Sequence, residues 1–259
     1  MIVDICTNKT LMKIVAVIPA RLNASRFPGK LLQPLGDAPV IVQTYKAALK
    51  TQLFDQVWVA TDSDAIEELI LGVGGKVFRS QKEHSCGSDR IAEAVADLDA
   101  ELIINVQGDE PFIDTQSLTQ LIQVFQGDLN SSIDMASLMI PITDPEEIQN
   151  PNAVKVIVDR KSFALYFSRA ALPFVRRPEN ATTVYRHIGI YAFRKATLMA
   201  FASSAPTPLE EAEQIECIRH LEYGKKIKMV QTDNQTIGID TPEDLLRAQK
   251  IWSHSSDTP

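Results

Sequence analysis

The chain has 259 residues, 45% hydrophobic and 23% charged, with a formal net charge of -7. Such a length supports one large α/β domain or two unequal ones with a sizeable core. The acidic balance argues against non-specific binding to nucleic acid or an anionic membrane, and no apolar run approaches the length of a membrane span. Cys6, Cys86 and Cys217 are too few and too scattered for a disulfide framework or a zinc spacing, which fits a reducing compartment such as the cytoplasm.

MIVDICTNKTL has neither the cationic start nor the long apolar stretch of a signal peptide. Residues 1–12 read as a disordered extension, with Met12 as an alternative start. KIVAVIPA, from Lys13 to Ala20, is β-branched and almost wholly apolar, the pattern of a central parallel strand buried on both faces. Further strands are expected at VWVATD from Val57, KVFRS from Lys76 and LIINVQGDEP from Leu102. Helical patterns lie between them at Pro39 to Thr51, Asp64 to Leu71, Ser88 to Leu98 and Asp114 to Phe125. This alternation predicts an α/β fold with a doubly wound, mostly parallel sheet.

The character changes at Met135. MASLMIPI, AVKVIVD, ALYFSR and HIGIYAF follow one another with little helix between, as in an antiparallel subdomain or sheet extension. PLEEAEQIECIRHLEYG from Pro208 predicts one helix, with Pro and acids at its start and Gly224 just past its end. KIKMVQT returns a strand. IDTPEDLLRAQKIW closes the chain as a helix with Thr241 as N-cap and Pro242 at the first helical position.

Two nucleotide motifs are absent. GVGGKV from Gly72 lacks the third glycine of a dinucleotide fingerprint and precedes a strand, so it reads as a helix stop and turn. PGKL resembles the end of a P-loop, yet Ala24 occupies the first glycine position and Leu31 replaces the magnesium-binding hydroxyl. The loop around it still carries Arg21, Arg26 and Lys30 at the end of the first strand, where ligands bind in open α/β sheets. Two arginine forks and one mobile ammonium in such a loop suit a polyphosphate better than scattered surface pairing.

NVQGDEPFI sets Asn105, Gln107, Asp109 and Glu110 at the end of another buried strand. Asp109 suits Mg²⁺ shared with substrate phosphates, and Gln107 suits a hydroxyl; alternatively the segment is only a turn. Asp240 in GIDTPEDL is a second candidate magnesium ligand, provided it folds back against Asp109. HSCGSDR combines small residues with Ser88, Asp89 and Arg90, either to cap a helix at Ser88 or to receive a base or sugar. Arg169, Arg186, His187 and Tyr191 end or line strands and together suit a carboxylate with hydroxyls.

IPARLNASRFPGK, VATD, GSDR, NVQGDEP, NPNAVKV, ALYFSRA, RHIGIYAF, PLE with its acidic helix, and IDTPEDL appear in an order that resembles the 3-deoxy-manno-octulosonate cytidylyltransferase family. The resemblance spans nearly all of Lys13 to Gln249. It implies a nucleotide-diphospho-sugar transferase type of sheet in a homodimer. The implied reaction joins CTP to 3-deoxy-D-manno-octulosonate (Kdo) with Mg²⁺, giving CMP-Kdo and pyrophosphate for lipopolysaccharide synthesis. A nucleotide-binding core over 13–134 plus 226–252 and a sugar-binding, dimerising part over 135–225 are then expected.

Carried over by motif, Arg21 and Lys30 would contact the triphosphate with Arg26 beside them, and Ser88 and Arg90 would lie at the nucleotide. Asp109 and Asp240 would hold magnesium. Gln107, Arg169, His187, Tyr191 and Glu216 would surround the sugar acid, with Arg176 closing over it. Two positions depart from the family pattern: Cys217 stands where many relatives have Gln, and Cys86 where Ser is usual. Loss of an amide removes strong hydrogen-bonding capacity near the sugar, so a related acid sugar such as 8-amino-Kdo or a sialic acid stays open as substrate. A methylerythritol-type cytidylyltransferase and a non-catalytic sugar-nucleotide sensor are the remaining alternatives.

Overall fold

The structure is a computed structural model that describes residues 12–22, 26–84, 86–128, 130–234 and 238–256. Most of the expected extension, Cys6 within it, and the P-loop position Ala24 lie outside the described residues.

In chain order, β1 (Ile14–Ala20) leads through the two-residue strands β2 (Pro34–Leu35) and β3 (Ala38–Pro39) to α1 (Val40–Lys50). Alternation continues with β4 (Gln56–Thr61), α2 (Asp64–Gly72), β5 (Lys76–Arg79), α3 (Gly87–Val95), β6 (Leu102–Asn105) and α4 (Thr115–Gln126). β7 (Met135–Pro141), α5 (Pro145–Gln149), β8 (Lys155–Val158), β9 (Ala164–Ser168), β10 (Tyr185–Arg194) and α6 (Lys195–Ala202) follow. The chain closes with α7 (Pro208–Glu213), α8 (Cys217–Glu222), β11 (Ile227–Gln231) and α9 (Pro242–Ser256).

The main sheet runs β11-β7-β10-β6-β1-β4-β5, and every pairing along it is parallel except those of β10. Residues 135–225 contribute to it directly, since β7 and the Tyr191–Arg194 half of β10 lie between β11 and β6. Beyond that half, β8 pairs antiparallel with β10 and with β9, which is the small antiparallel extension.

Strand alternation divides the core into two layers. Ile14, Ala16 and Ile18 face a layer with Ile41 of α1, Ile66 of α2, Leu121 of α4 and Leu245 of α9. Val15 and Val17 face the other, with Ile91 and Val95 of α3, Leu198 of α6 and Ile218 of α8. Helices therefore cover both faces, as doubly wound sheets require. Each fully buried Ile or Leu contributes about 1.5–3 kcal/mol of transfer free energy.

Two local expectations change. The segment from Pro208 is two helices rather than one: Gln214 adopts a left-handed conformation (φ 54°, ψ 48°) and ends α7. Arg169 satisfies the freed carbonyls from outside, its Nε donating to Glu213 O at 2.7 Å and its Nη2 to Gln214 O at 3.3 Å. Ser88 is not an N-cap either. α3 begins at Gly87 with Cys86 as its cap residue, and Ser88 lies within the first turn with its hydroxyl turned to Glu216. At the closing helix the expectation holds, since Thr241 Oγ accepts from Asp244 N at 3.2 Å and Asp244 Oδ2 accepts from Thr241 N at 2.9 Å.

Candidate active site

Phe27 to Lys30 form a tight turn in which the Lys30 N–H donates to Phe27 O at 3.2 Å. Gly29 sits at φ 70°, the left-handed position that follows Pro28 in a type II turn. The turn starts a short 3₁₀ helix, Lys30–Leu32, and points Lys30 back over the sheet rather than into solvent.

Asp109 and Asp240 come from the loops after β6 and before α9, and they meet at this lysine. Lys30 Nζ bonds Asp109 Oδ2 and stands 2.8 Å from Asp240 Oδ1. Arg26 Nη2 lies 3.1 Å from Asp240 Oδ2, and its Nη1 donates to Asn152 Oδ1 at 3.3 Å. A backbone bond of 2.9 Å from Ile239 N to Asp109 O ties the two loops together. Burial works to lower the Lys30 pKa, but the two carboxylates outweigh it and hold the ammonium charged.

The arrangement fits a divalent cation. Two carboxylate oxygens already converge on one positive group. The neighbouring Glu110 has a buried Oε2 with no hydrogen-bond partner among the described residues. Burial, then the charges of Asp109 and Asp240, push Glu110 up to about 8, so it stays mostly protonated at neutral pH. A hard cation with one or two protein carboxylates completes its shell from phosphate oxygens and water.

A cleft of ≈ 1240 Å³ opens here, and a smaller cavity of ≈ 250 Å³ adjoins it at the carboxyl ends of β1 and β6. Arg21, Arg26, Gln107, Asp109 and Asp240 line both. Lys30 and Arg90 line the smaller cavity. Arg90 is buried, with Nη2 on Asp62 Oδ2 at 2.7 Å and Nη1 without a hydrogen-bond partner among the described residues. Arg169, His187, Tyr191 and Glu216 line the larger cleft.

Glu216 is seated on the start of α3. Its Oε1 accepts from Ser88 Oγ at 3.0 Å and its Oε2 from Ser88 N at 3.3 Å, while burial raises its pKa. Ser88 is buried beneath it and lines neither cavity. His187 is neutral, burial holding its pKa at about 3. Burial pushes the Tyr191 hydroxyl and the Cys217 thiol well above their ordinary pKa values, so both stay neutral beside the cleft. Arg169 spends Nε, Nη1 and Nη2 on backbone carbonyls of Glu213, Pro151 and Gln214. Arg176 stands apart, exposed on the segment after β9 and outside both cavities.

Several neighbours were not singled out from the sequence. Asp62 anchors Arg90, and Glu147 pairs at 2.9 Å with Arg186, a residue the sequence did single out, on the cleft wall. Asp62 carried a usable signal, since it follows β4 at the same sheet end as Asp109. Asn152 lies in the NPNAVKV motif, but only the fold brings it to Arg26.

An open α/β sheet with cations and paired carboxylates at the carboxyl ends of its strands suits nucleotidyl transfer. A family model described as cytidylyltransferase matches residues 15–227. The chain is 56% identical over 241 residues to 3-deoxy-manno-octulosonate cytidylyltransferase of Christiangramia forsetii, covering 93% of this chain and 97% of the relative. It is 55% identical over 240 residues to the protein of the same name from Flavobacterium johnsoniae, covering 93% and 98%. A solved structure of CMP:2-keto-3-deoxy-manno-octonic acid synthetase complexed with CTP superposes with a TM-score of 0.87 at 34% identity, covering 94% of this chain and 99% of that one. The chain belongs to the 3-deoxy-manno-octulosonate cytidylyltransferase family.

Proposed function

We propose that the protein joins CTP and Kdo to give CMP-Kdo and pyrophosphate, with Mg²⁺ as its cofactor. The observation that carries this reading is the meeting of Asp109 and Asp240 on Lys30 beside a cleft walled by Arg169, His187 and Glu216. In the reaction the anomeric hydroxyl of Kdo attacks the α-phosphorus, the bond to the bridging oxygen breaks, and pyrophosphate leaves. Arg21, Arg26 and Lys30 gather the triphosphate charge, which turns the pentavalent arrangement into a stabilised one. Arg90, which lines the smaller cavity and keeps a buried Nη1 with no hydrogen-bond partner among the described residues, suits the nucleotide side. Gln107, His187 and Tyr191 orient the sugar acid, and Arg169 with Arg186 offers its carboxylate positive charge.

Asp109 and Asp240 would hold the magnesium ion, which supplies charge neutralisation at the phosphates and a lower pKa for the attacking hydroxyl. No protein nucleophile is needed. A second copy of the chain completes the molecule: Phe174 (88% exposed) and Leu165 (61% exposed) offer apolar contacts beside the antiparallel extension. Among the described residues no helix is long and apolar enough to cross a membrane. The free thiols of Cys86 and Cys217 suit the cytoplasm. Pyrophosphate release with CTP, Mg²⁺ and Kdo, beside a sialic acid and beside CTP alone, tests the proposal. Release only with Kdo is expected; release with the sialic acid instead, or with none, overturns it.

A further inference from the structure

Ser137 sits in the middle of β7, opposite Tyr191, and is fully buried. Its hydroxyl oxygen lies 2.9 Å from His187 Nε2, 3.1 Å from Ile188 O and 2.9 Å from Ile190 O. These contacts arise because β10 slips against β7 between Ile188 and Tyr191, taking Gly189 and Ile190 out of the pairing. Two carbonyls and a ring nitrogen then converge on one hydroxyl.

A hydroxyl has one proton to donate, and a carbonyl oxygen can only accept. The Ser137 proton therefore goes to a carbonyl, and an oxygen lone pair is left facing His187 Nε2. A nitrogen in that position must carry the imidazole proton. The other tautomer would turn the Ser137 proton to Nε2 and leave both carbonyl oxygens against a lone pair in a buried site, which is unfavourable. Burial keeps the ring neutral, so it has one proton to place. Phe167 and Tyr191 flank it at 4.9 Å and 5.5 Å and restrict its turning over. Nδ1 has no hydrogen-bond partner among the described residues, and His187 lines the cleft.

We propose that Ser137 is a positioning residue that fixes the Nε2–H tautomer of His187, so that the imidazole meets the sugar acid as a hydrogen-bond acceptor through Nδ1. This rests on the cleft being the sugar-acid site. The ligand group at Nδ1 must then be a donor, a hydroxyl or an ammonium. A carboxylate offers only lone pairs there and is directed away, toward the arginines. Ser137 thereby selects how the sugar acid lies in the cleft without touching it.

Two readouts test this. Nitrogen shifts of isotope-labelled histidine in the ligand-free protein, with the His187 signal identified by its loss in His187→Gln, report the tautomer directly. The wild type is expected to be Nε2–H, Ser137→Ala a mixture or Nδ1–H, and Ser137→Thr Nε2–H again. In steady-state kinetics Ser137→Ala is expected to raise KM for Kdo about tenfold, one hydrogen bond lost, with KM for CTP near wild type, and Ser137→Thr to restore it. Should Ser137→Ala fail to fold, Ser137→Cys, a weak donor of similar size, takes its place. A wild-type His187 protonated on Nδ1 overturns the proposal, and so does an unchanged tautomer in the alanine or cysteine variant. The expected tautomers in a protein that releases no pyrophosphate with Kdo would leave Ser137's role standing and overturn the substrate reading instead.

Discussion

Replacing Lys30 by methionine removes the ammonium shared by Asp109 and Asp240 while keeping most of the aliphatic stem. The side chains are 12% exposed for Lys30, 22% for Asp109 and 43% for Asp240, so the Asp240 contact is well screened and the Asp109 contact dominates. Opposite unit charges about 4 Å apart interact by about 4 kcal/mol at an effective dielectric of about 20, and stripping one partner from a fully buried pair costs roughly 3–5 kcal/mol. With water reaching both carboxylates, the expected loss is about 2 kcal/mol. That corresponds to a fall of roughly 4–8 °C in melting temperature.

Magnesium separates this account from a merely structural one. In the wild type a cation arriving at Asp109 and Asp240 must displace the ammonium; in Lys30→Met it meets two bare carboxylates. Thermal unfolding with and without Mg²⁺ is therefore expected to show a larger magnesium-dependent gain in the variant than in the wild type. Pyrophosphate release is expected to fall about 100- to 1000-fold, because a cation facing the developing phosphate charge is gone. Equal magnesium shifts in both proteins, or near-normal turnover of Lys30→Met, would refute the reasoning.

Asp109→Ala is expected to abolish magnesium-dependent turnover while circular dichroism stays that of the native fold; a rate close to wild type removes it from the metal site. Arg169→Ala is expected to raise KM for Kdo far more than KM for CTP, and equal increases would count against its place at the sugar acid. Arg219, buried with Nε and Nη2 on Glu210 at 2.7 and 2.6 Å, holds α7 to α8. Arg219→Ala is expected to cost about 3–5 kcal/mol in denaturant unfolding, and a loss below about 1 kcal/mol would show the pair to be dispensable. His220 is stacked on Phe201 at 4.7 Å, and burial lowers its pKa to about 4. Between about pH 6.5 and pH 4 the unfolded chain binds a proton there that the folded chain does not, so stability falls as pH falls. Chemical denaturation of His220→Phe is expected to show a shallower acid loss than the wild type, and an identical slope would exclude His220 as its source.

The first half of the fold was legible because apolar β-branched runs alternate with helical periods, and from β1 to α4 the elements appear where that pattern places them, apart from the short strands β2 and β3. The helix from Pro208 was misread because nothing local marks Gln214 as a break. Its left-handed turn is held by Arg169, which is remote in sequence and supplies donors to the carbonyls that the break exposes. Ser88 likewise has a good capping side chain, yet Glu216, just before α8, claims it. Ionic and hydrogen-bonding partners that lie far apart along the chain leave no periodic trace.

By itself, the amino-acid pattern determined the sheet class, the position of the cationic loop at a strand end and the residue types of the site. These depend on short-range sterics and on the burial of alternating apolar residues. Only the tertiary structure decided that Asp109 and Asp240 share Lys30, that Glu216 sits on α3, and that Ser137 holds His187. Each of those needs two loops or strands brought together, and side-chain direction at a sheet end follows from register and loop closure that no single segment specifies.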